Sequence, residues 1–490
     1  MIDPEQHDPN PSAATATAAP PDAQPTHPPA PEPWTPERVL AWNAYYDLYV
    51  ALGVLLLVFL VSATKITNSS LWTLLQAGRQ TAHQHAPVVI DTFSYTEAGK
   101  RWVNIPWIFE WVNSQVYGMI APADANRRPG QMTQADQYAA GTLVAINATI
   151  RVLTALILLG LRRKGPGLWW TAVCVVVALG GIVGPPTGIA LGGIAGQAAV
   201  SPDTWGLMFL ALEFFILHRA VNLGRQGAVW GLLPLFLLWA NIDDSFVIGL
   251  IVMATTALGA LQKEPTKWAG ASPSDHLPLS RALVLLAACA AICLLNPSFY
   301  HIYPKALFPI TQLFQPKSGP LLYEQLSMFG PTFRNNAGGV VFRWLVAQYL
   351  TLVGLGLGSF FLNRRRFSLG RFLTFVAMAL LWGAVQRFEP VFALAFAATL
   401  ALNGQEWYHD HFGLDGRLGR GWAIWSIGGR AITIVLTCVF VVKGLTGYHS
   451  LPGEPLFGFG VNADLFPFEA ADYLRIAPIK GNVLNTSLSQ

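Results

Sequence analysis

Eleven apolar stretches divide this chain, and almost every one is edged by Arg or Lys at one end only. They cover 45–66, 142–161, 168–187, 203–221, 228–241, 245–262, 281–296, 342–362, 371–387, 388–403 and 430–447. Inside a bilayer no water satisfies backbone polar groups, so a spanning segment has to be a helix of about 20 mostly apolar residues that bonds to itself. The pattern predicts an all-α polytopic membrane protein with about 11 transmembrane helices. The charge content agrees. Only 12% of the residues are charged, against about 25% in soluble globular chains. The fifth and tenth stretches are short and read as tilted segments or half-helices packed within a bundle.

Basic residues set the orientation, because Lys and Arg collect in short cytoplasmic loops. Arg162, Arg163 and Lys164 follow the second stretch, Arg219 and Arg225 the fourth, and Lys263 and Lys267 the sixth. Arg364, Arg365 and Arg366 follow the eighth, and Arg417 and Arg420 the tenth. Every second loop is the basic one, which places the amino terminus in the cytoplasm. Residues 1–37 are rich in Pro, Ala and Thr, with no charged segment leading into an apolar one. Residues 1–40 therefore read as a disordered cytoplasmic tail rather than a signal peptide, and 41–447 as the transmembrane domain. The opposite face receives a first outer loop at 67–141, a second at 297–341 and a carboxyl-terminal segment at 448–490.

The net charge of +4 is spread over short loops without a basic stripe interleaved with aromatics, so nucleic acid is not an expected partner. Membrane lipids are. Cys174, Cys289, Cys293 and Cys438 all fall inside apolar stretches and read as small packing residues. No glycine-rich phosphate loop, zinc-protease helix or nucleophile elbow is present, so the sequence gives no support to soluble nucleotide chemistry.

Polar residues gathered at the outer face are the candidates for function. In the first loop Asp91-Thr92-Phe93-Ser94-Tyr95-Thr96 precedes Trp102 and Trp107-Ile108-Phe109-Glu110. A carboxylate can take a proton from an attacking hydroxyl, and aromatic faces pack against sugar rings, so Asp91 reads as a general base beside a platform of Trp102 and Trp107. A plainer reading stays open: an Asp starting a turn, with aromatics in the interfacial belt. Asp243 and Asp244 lie between two apolar stretches with almost no loop. They are either catalytic acids and oxygen ligands for Mg or Mn, or a helix cap. Arg387, beside Glu389, interrupts the run from Phe372 to Leu402. It suits a phosphate through its guanidinium fork, or an ion pair with Glu389, or the outer interface. Asn296-Pro297 closes the seventh stretch. His301 reads as an interfacial residue and Glu324 as a second acid of the outer face that contacts substrate.

These residues carry a family likeness. The run from Leu71 to Glu110, with Trp72, Gly78, Asp91, Trp102 and Trp107, resembles the first outer loop of bacterial membrane proteins of the GT-C glycosyltransferase superfamily. Trp239-Ala240-Asn241, Leu295-Asn296-Pro297, Gln386-Arg387-Phe388 and the closing run from Phe466 to Asn485 are similar to the same group. The resemblance implies a GT-C-like fold in the bacterial inner membrane. It further implies transfer from a polyprenyl-phosphate-linked sugar to a glycan, lipid or protein acceptor, with an acid of the first outer loop as base.

Two motifs depart from it. Ser70-Leu71-Trp72-Thr73-Leu74 stands where such chains read Asp-x-Trp-Trp-His, and Asn241-Ile242-Asp243-Asp244 where they read Asn-x-His-Gly. Either the acid has moved to Asp91 and to Asp243 and Asp244, or catalysis is lost and the chain is a membrane scaffold or subunit. A third expectation is a transporter or flippase of a lipid-linked or anionic solute. The chain also stops soon after Gly481-Asn482-Val483, where the resembling proteins continue into a soluble domain, which implies a fragment or a shortened product.

Overall fold

A computed structural model describes residues 36–66, 70–93, 98–122, 132–162, 168–180, 200–262, 277–311, 339–412, 420–446, 458–462, 466 and 473. The described residues form an all-α protein of 14 α-helices. They are α1 (Pro36–Ser62), α2 (Ser70–Gln84), α3 (Trp107–Ile120), α4 (Gln134–Leu159), α5 (Leu168–Gly180), α6 (Pro202–Leu217) and α7 (Leu232–Trp239). There follow α8 (Phe246–Gly259), α9 (Leu279–Cys293), α10 (Ile302–Thr311), α11 (Gly339–Leu362), α12 (Leu369–Ala384), α13 (Glu389–Phe412) and α14 (Arg420–Thr446). No strand occurs among the described residues; Ile66 with Val461 and Ile90 with Arg101 make isolated bridges.

Each of the eleven apolar stretches carries a helix. Among the described residues three segments, Tyr45–Ser62, Gln134–Leu159 and Pro202–Asn222, are long and apolar enough to cross a membrane. Seven further apolar helices are shorter. The fourth stretch ends in a π-turn at His218–Asn222, and the fifth opens as a 3-10 turn at Gln226–Gly231, so the helical ladder changes pitch between α6 and α7. Glu324, the tail before residue 36 and nearly all of 448–490 lie outside the described residues.

Helix α13 is the hub. Every residue from 388 to 399 is buried, so this part of the helix is enclosed on all sides by others. It packs against α5, α11 and α12, while α12 also lies on α8, and α1 bridges α4, α5 and α14. Aromatic stacking fills the centre: Trp382 lies over Phe392 with ring centroids 4.8 Å apart, and Phe375 meets Phe392 at 5.6 Å.

At one end of this core a polar network joins three helices. Arg371 of α12 forks onto Glu406 of α13 through Nη1 at 3.1 Å and Nη2 at 3.0 Å, and also donates to Asn403. Asn363, just beyond α11, donates to both Asn403 and Glu406.

The described part of 67–141 contains two helices, α2 and α3, which pack on each other, and α3 also rests on α4. The approach of α2 to α3 depends on Gly78, where a Cβ would overlap the Glu110 carbonyl. Glu110 is buried, and its carboxylate accepts from Asn104 Nδ2 at 2.7 Å. Burial pushes this acid up to about 7 from an ordinary value near 4.5, against the opposing pull of the Asn104 bond.

The fold therefore binds that proton more tightly than the open chain does. The stabilisation is complete below about pH 4.5 and is lost as pH rises through 7. The α2–α3 packing is expected to be weaker at pH 8 than at pH 4.5 by up to about 3 kcal/mol. Glu110→Gln should erase the difference. Amide exchange of α3 at the two pH values, corrected for intrinsic rates, measures it.

Candidate functional site

Three chain turns meet at the other end of α12 and α13. The first is the start of α6, where the Ser201 side chain accepts from the Asp203 backbone N–H and Pro202 takes the first helical position. The carboxylate of Asp203 thus stands in the first turn, where the helix dipole favours an anion. The second is the turn 240–245 between α7 and α8. The third is the single 3-10 turn Gln386–Phe388 between α12 and α13, which presents Arg387.

Arg387 ties the three together. Its Nη2 donates to Asp203 Oδ1 at 2.9 Å and to Asp244 Oδ1 at 3.0 Å. Both bonds use the same nitrogen, and the Arg387 side chain keeps 31% of its surface exposed. Asp243 is buried beneath, with Oδ2 accepting from Ser245 N–H at 3.0 Å and from the Ser245 hydroxyl. The Ser245 oxygen in turn accepts from Trp239 Nε1 at 3.0 Å. Gly206 makes this approach possible, since a Cβ there would overlap Asp243 Oδ2 and Ser245 Oγ. Burial, with Asp244 and Asp203 adding their charge, pushes Asp243 up to about 8.

Two further cations stand near. Arg151 of α4 is buried within electrostatic reach of Asp203 and donates to Thr204, and Lys305 of α10 lies within reach of Asp244. The group opens on a cleft that is partly continuous with solvent. Its charged end is Asp203, Asp243, Asp244 and Arg387; its walls are apolar, with Leu207, Leu210, Val247, Ile248, Pro309 and Val391. One carboxylate oxygen from each acid lies within 4.8 Å of the others.

Hard oxygen donors of this kind suit magnesium or manganese, but ligands across such an ion lie at most about 4.2 Å apart, given bonds of about 2.1 Å. The donor set fits a cation after a small closure, and Arg387 would have to release at least one acid.

The candidates between α2 and α3 are arranged differently. Asp91 sits in a hairpin where Ile90 pairs with Arg101, and its carboxylate accepts from the Phe93 N–H at 2.9 Å. It does not line the cleft. Trp102 packs edge-on to Phe93 with centroids 5.2 Å apart. Trp107 opens α3 and donates from Nε1 to Asn241 Oδ1 at 2.8 Å, while Asn296 donates to the Ala240 carbonyl at 2.9 Å. Trp107 and Asn296 therefore brace the acidic turn from outside, through Asn241 and Ala240. His301 accepts from Arg101 at 2.8 Å. Glu389 receives bonds from Gln386 and Gln348, and the acids that hold Arg387 are Asp203 and Asp244 instead.

Asp203 is the member that sequence reasoning missed. Ser201-Pro202-Asp203 at the start of an apolar stretch was the available signal, since it fixes an acid in the first turn of a helix at the same end of the bundle as Asp243. The sequence matches no protein-family model and no curated protein.

Proposed function

We propose that this chain is a GT-C-type glycosyltransferase that takes sugar from a polyprenyl-phosphate donor, spanning a bacterial inner membrane with eleven helices. In this reading the amino terminus is cytoplasmic and the cleft opens at the extracytoplasmic face. The carrying observation is the cleft itself, which joins apolar walls to a charged end of three aspartates and Arg387. A lipid phosphate has that same division between an apolar chain and an anionic head.

The chemistry follows from the placement. Asp243 exchanges its proton near neutral pH and so suits the base that accepts the acceptor hydroxyl's proton, in preference to Asp91 in its separate hairpin. The acceptor oxygen then bonds to the anomeric carbon, the bond from that carbon to the phosphate oxygen breaks, and polyprenyl phosphate leaves with the electron pair. Arg387 faces the developing phosphate charge, where an oriented cation in a partly dry cleft is most effective. Asp203 and Asp244 hold Arg387 in place until the phosphate competes for it. A divalent cation held by Asp203, Asp243 and Asp244 would add positive charge against the leaving phosphate.

Purified protein in lipid vesicles should bind polyprenyl phosphate and transfer radiolabelled sugar from polyprenyl-phosphate pentose or hexose to a glycan, lipid or peptide acceptor. Failure to bind polyprenyl phosphate itself sinks the reading, whatever the sugar. Introduced cysteines in 67–141 should react with an impermeant reagent in intact cells. Reaction in 364–371 instead would reverse the orientation.

The scaffold reading draws on the same ion pairs, because an Arg387 bridging two aspartates also ties three helix ends together. It differs in outcome: no lipid phosphate is bound, and Arg387→Ala lowers the unfolding temperature rather than a rate.

A further inference from the structure

Glu213 stands in the middle of α6, the helix that delivers Asp203 to the cleft, within the membrane-length apolar segment Pro202–Asn222. It is fully buried, and neither carboxyl oxygen has a hydrogen-bond partner among the described residues. Gly249 of α8 makes its space: a Cβ there would lie 2.8 Å from Glu213 Oε2 and 2.7 Å from the Trp239 ring. A leucine or methionine would fill such a socket without the penalty of an unpartnered polar group, so an acid at this depth points to use.

The surrounding elements offer little charge. The helices α7 and α8 contain no titratable residue. From α9, Cys289 is within electrostatic reach of Glu213. The contact of α4 with α6 brings Arg151 to Thr204, beside Asp203, and α13 contributes Glu389, already bonded to two glutamines. Along α6 itself, Asp203 lies toward the cleft and His218 toward the opposite end. The cleft reaches Leu210, one turn above Glu213.

We propose that Glu213 is an intramembrane proton-binding site beneath the cleft, exchanging its proton as the charge in the cleft changes. The step is a single protonation of a carboxylate to a neutral acid, with no other bond made or broken. The acid form is the one this packing tolerates, because no donor or counter-charge among the described residues stands by for the anion. The link to the cleft is electrostatic. Asp203 and Glu213 are about 15 Å apart along α6, and across that distance in a protein interior a unit charge shifts a protonation equilibrium about fivefold. Negative charge gathering in the cleft favours uptake, and positive charge favours release. This inference is independent of sugar transfer.

Dicyclohexylcarbodiimide tests it. The reagent adds to protonated carboxyls in apolar surroundings: the carboxyl oxygen bonds to its central carbon and the proton passes to nitrogen. An acyl shift then leaves a stable N-acylurea that retains the whole reagent. In the full chain reconstituted in lipid vesicles, peptide mass analysis should find Glu213 labelled, at a rate that falls as pH rises. Glu213→Gln should remain unlabelled at that position.

Arg387→Gln removes a positive charge and should raise the pH of half-maximal labelling. Asp244→Asn removes a negative one and should lower it, each shift amounting to about fivefold in rate at fixed pH. Circular dichroism confirms that both variants keep their helices. No labelling of Glu213 while other carboxyls react would mean a sealed socket and overturns the proposal. A flat pH profile does the same, as do two charge variants that shift it in the same direction or not at all.

Discussion

Asp243→Asn is expected to lower sugar transfer by about 10²–10⁴-fold while binding of polyprenyl phosphate persists. The substitution keeps the size of the side chain, and the amide oxygen can still accept from the Ser245 N–H that now holds Asp243 Oδ2 at 3.0 Å. What disappears is the ability to take a proton. The turn should not loosen, because the amide is neutral like the protonated acid it replaces and keeps the oxygen that accepts from Ser245. Wild-type kcat/KM should climb with pH as the Asp243 acid, held near 8, gives up its proton. From pH 7 to the plateau the gain is about tenfold, and the residual rate of Asp243→Asn should lack that limb.

Asp91→Asn is the decisive companion. Its carboxylate accepts from the Phe93 N–H in its own turn, an interaction an asparagine oxygen reproduces, so its loss of rate should be small. The reverse ranking would return the base to Asp91. Arg387→Lys should retain more transfer than Arg387→Ala, since the charge survives although the fork does not.

The acidic turn was legible because two adjacent carboxylates between apolar stretches are costly unless something nearby compensates them. The compensating residue was not. Arg387 is 184 positions from Asp203 and 143 from Asp244, and no local pattern encodes which acids a bundle will bring to it. Asp203 was hidden for a second reason: after Ser201-Pro202 an acid reads fully as helix-start chemistry, and the Ser201 cap is indeed made.

The hairpin of Asp91 shows the opposite problem. Acid beside aromatics is a local signal for sugar binding, yet Phe93 and Trp102 pack on each other there. Hydrophobic runs fared better, because burial of an apolar run demands a helix whatever its neighbours, and all eleven carry one. Their ends were harder to place. The π-turn at His218–Asn222 and the 3-10 turn at Gln226–Gly231 divide α6 from α7, and such pitch changes leave no hydrophobic period behind.

Arg371→Ala is expected to destabilise the fold by about 3–5 kcal/mol, the usual result of removing one member of a buried ion pair. Arg371 supplies two donors to Glu406 and one to Asn403 at the end of the bundle opposite the cleft. The side chains are 11% and 2% exposed, so water reaches Glu406 poorly once the guanidinium is gone. Asn363 still donates to Glu406, but one amide does not replace a forked cation. Arg371→Lys should lose less than Arg371→Ala, because the charge remains.

The double replacement Arg371→Met with Glu406→Leu should cost far less than Arg371→Ala alone, since apolar groups of similar volume remove both the attraction and the desolvation it offsets. Thermal unfolding of the four proteins in detergent measures the series. If the double variant is as unstable as Arg371→Ala, the pair is held by more than each other, and Asn363 and Asn403 are the residues to test next. Any transfer by the folded fraction should be unchanged throughout, because this network closes one end of α12 and α13 while Arg387 lies at the other.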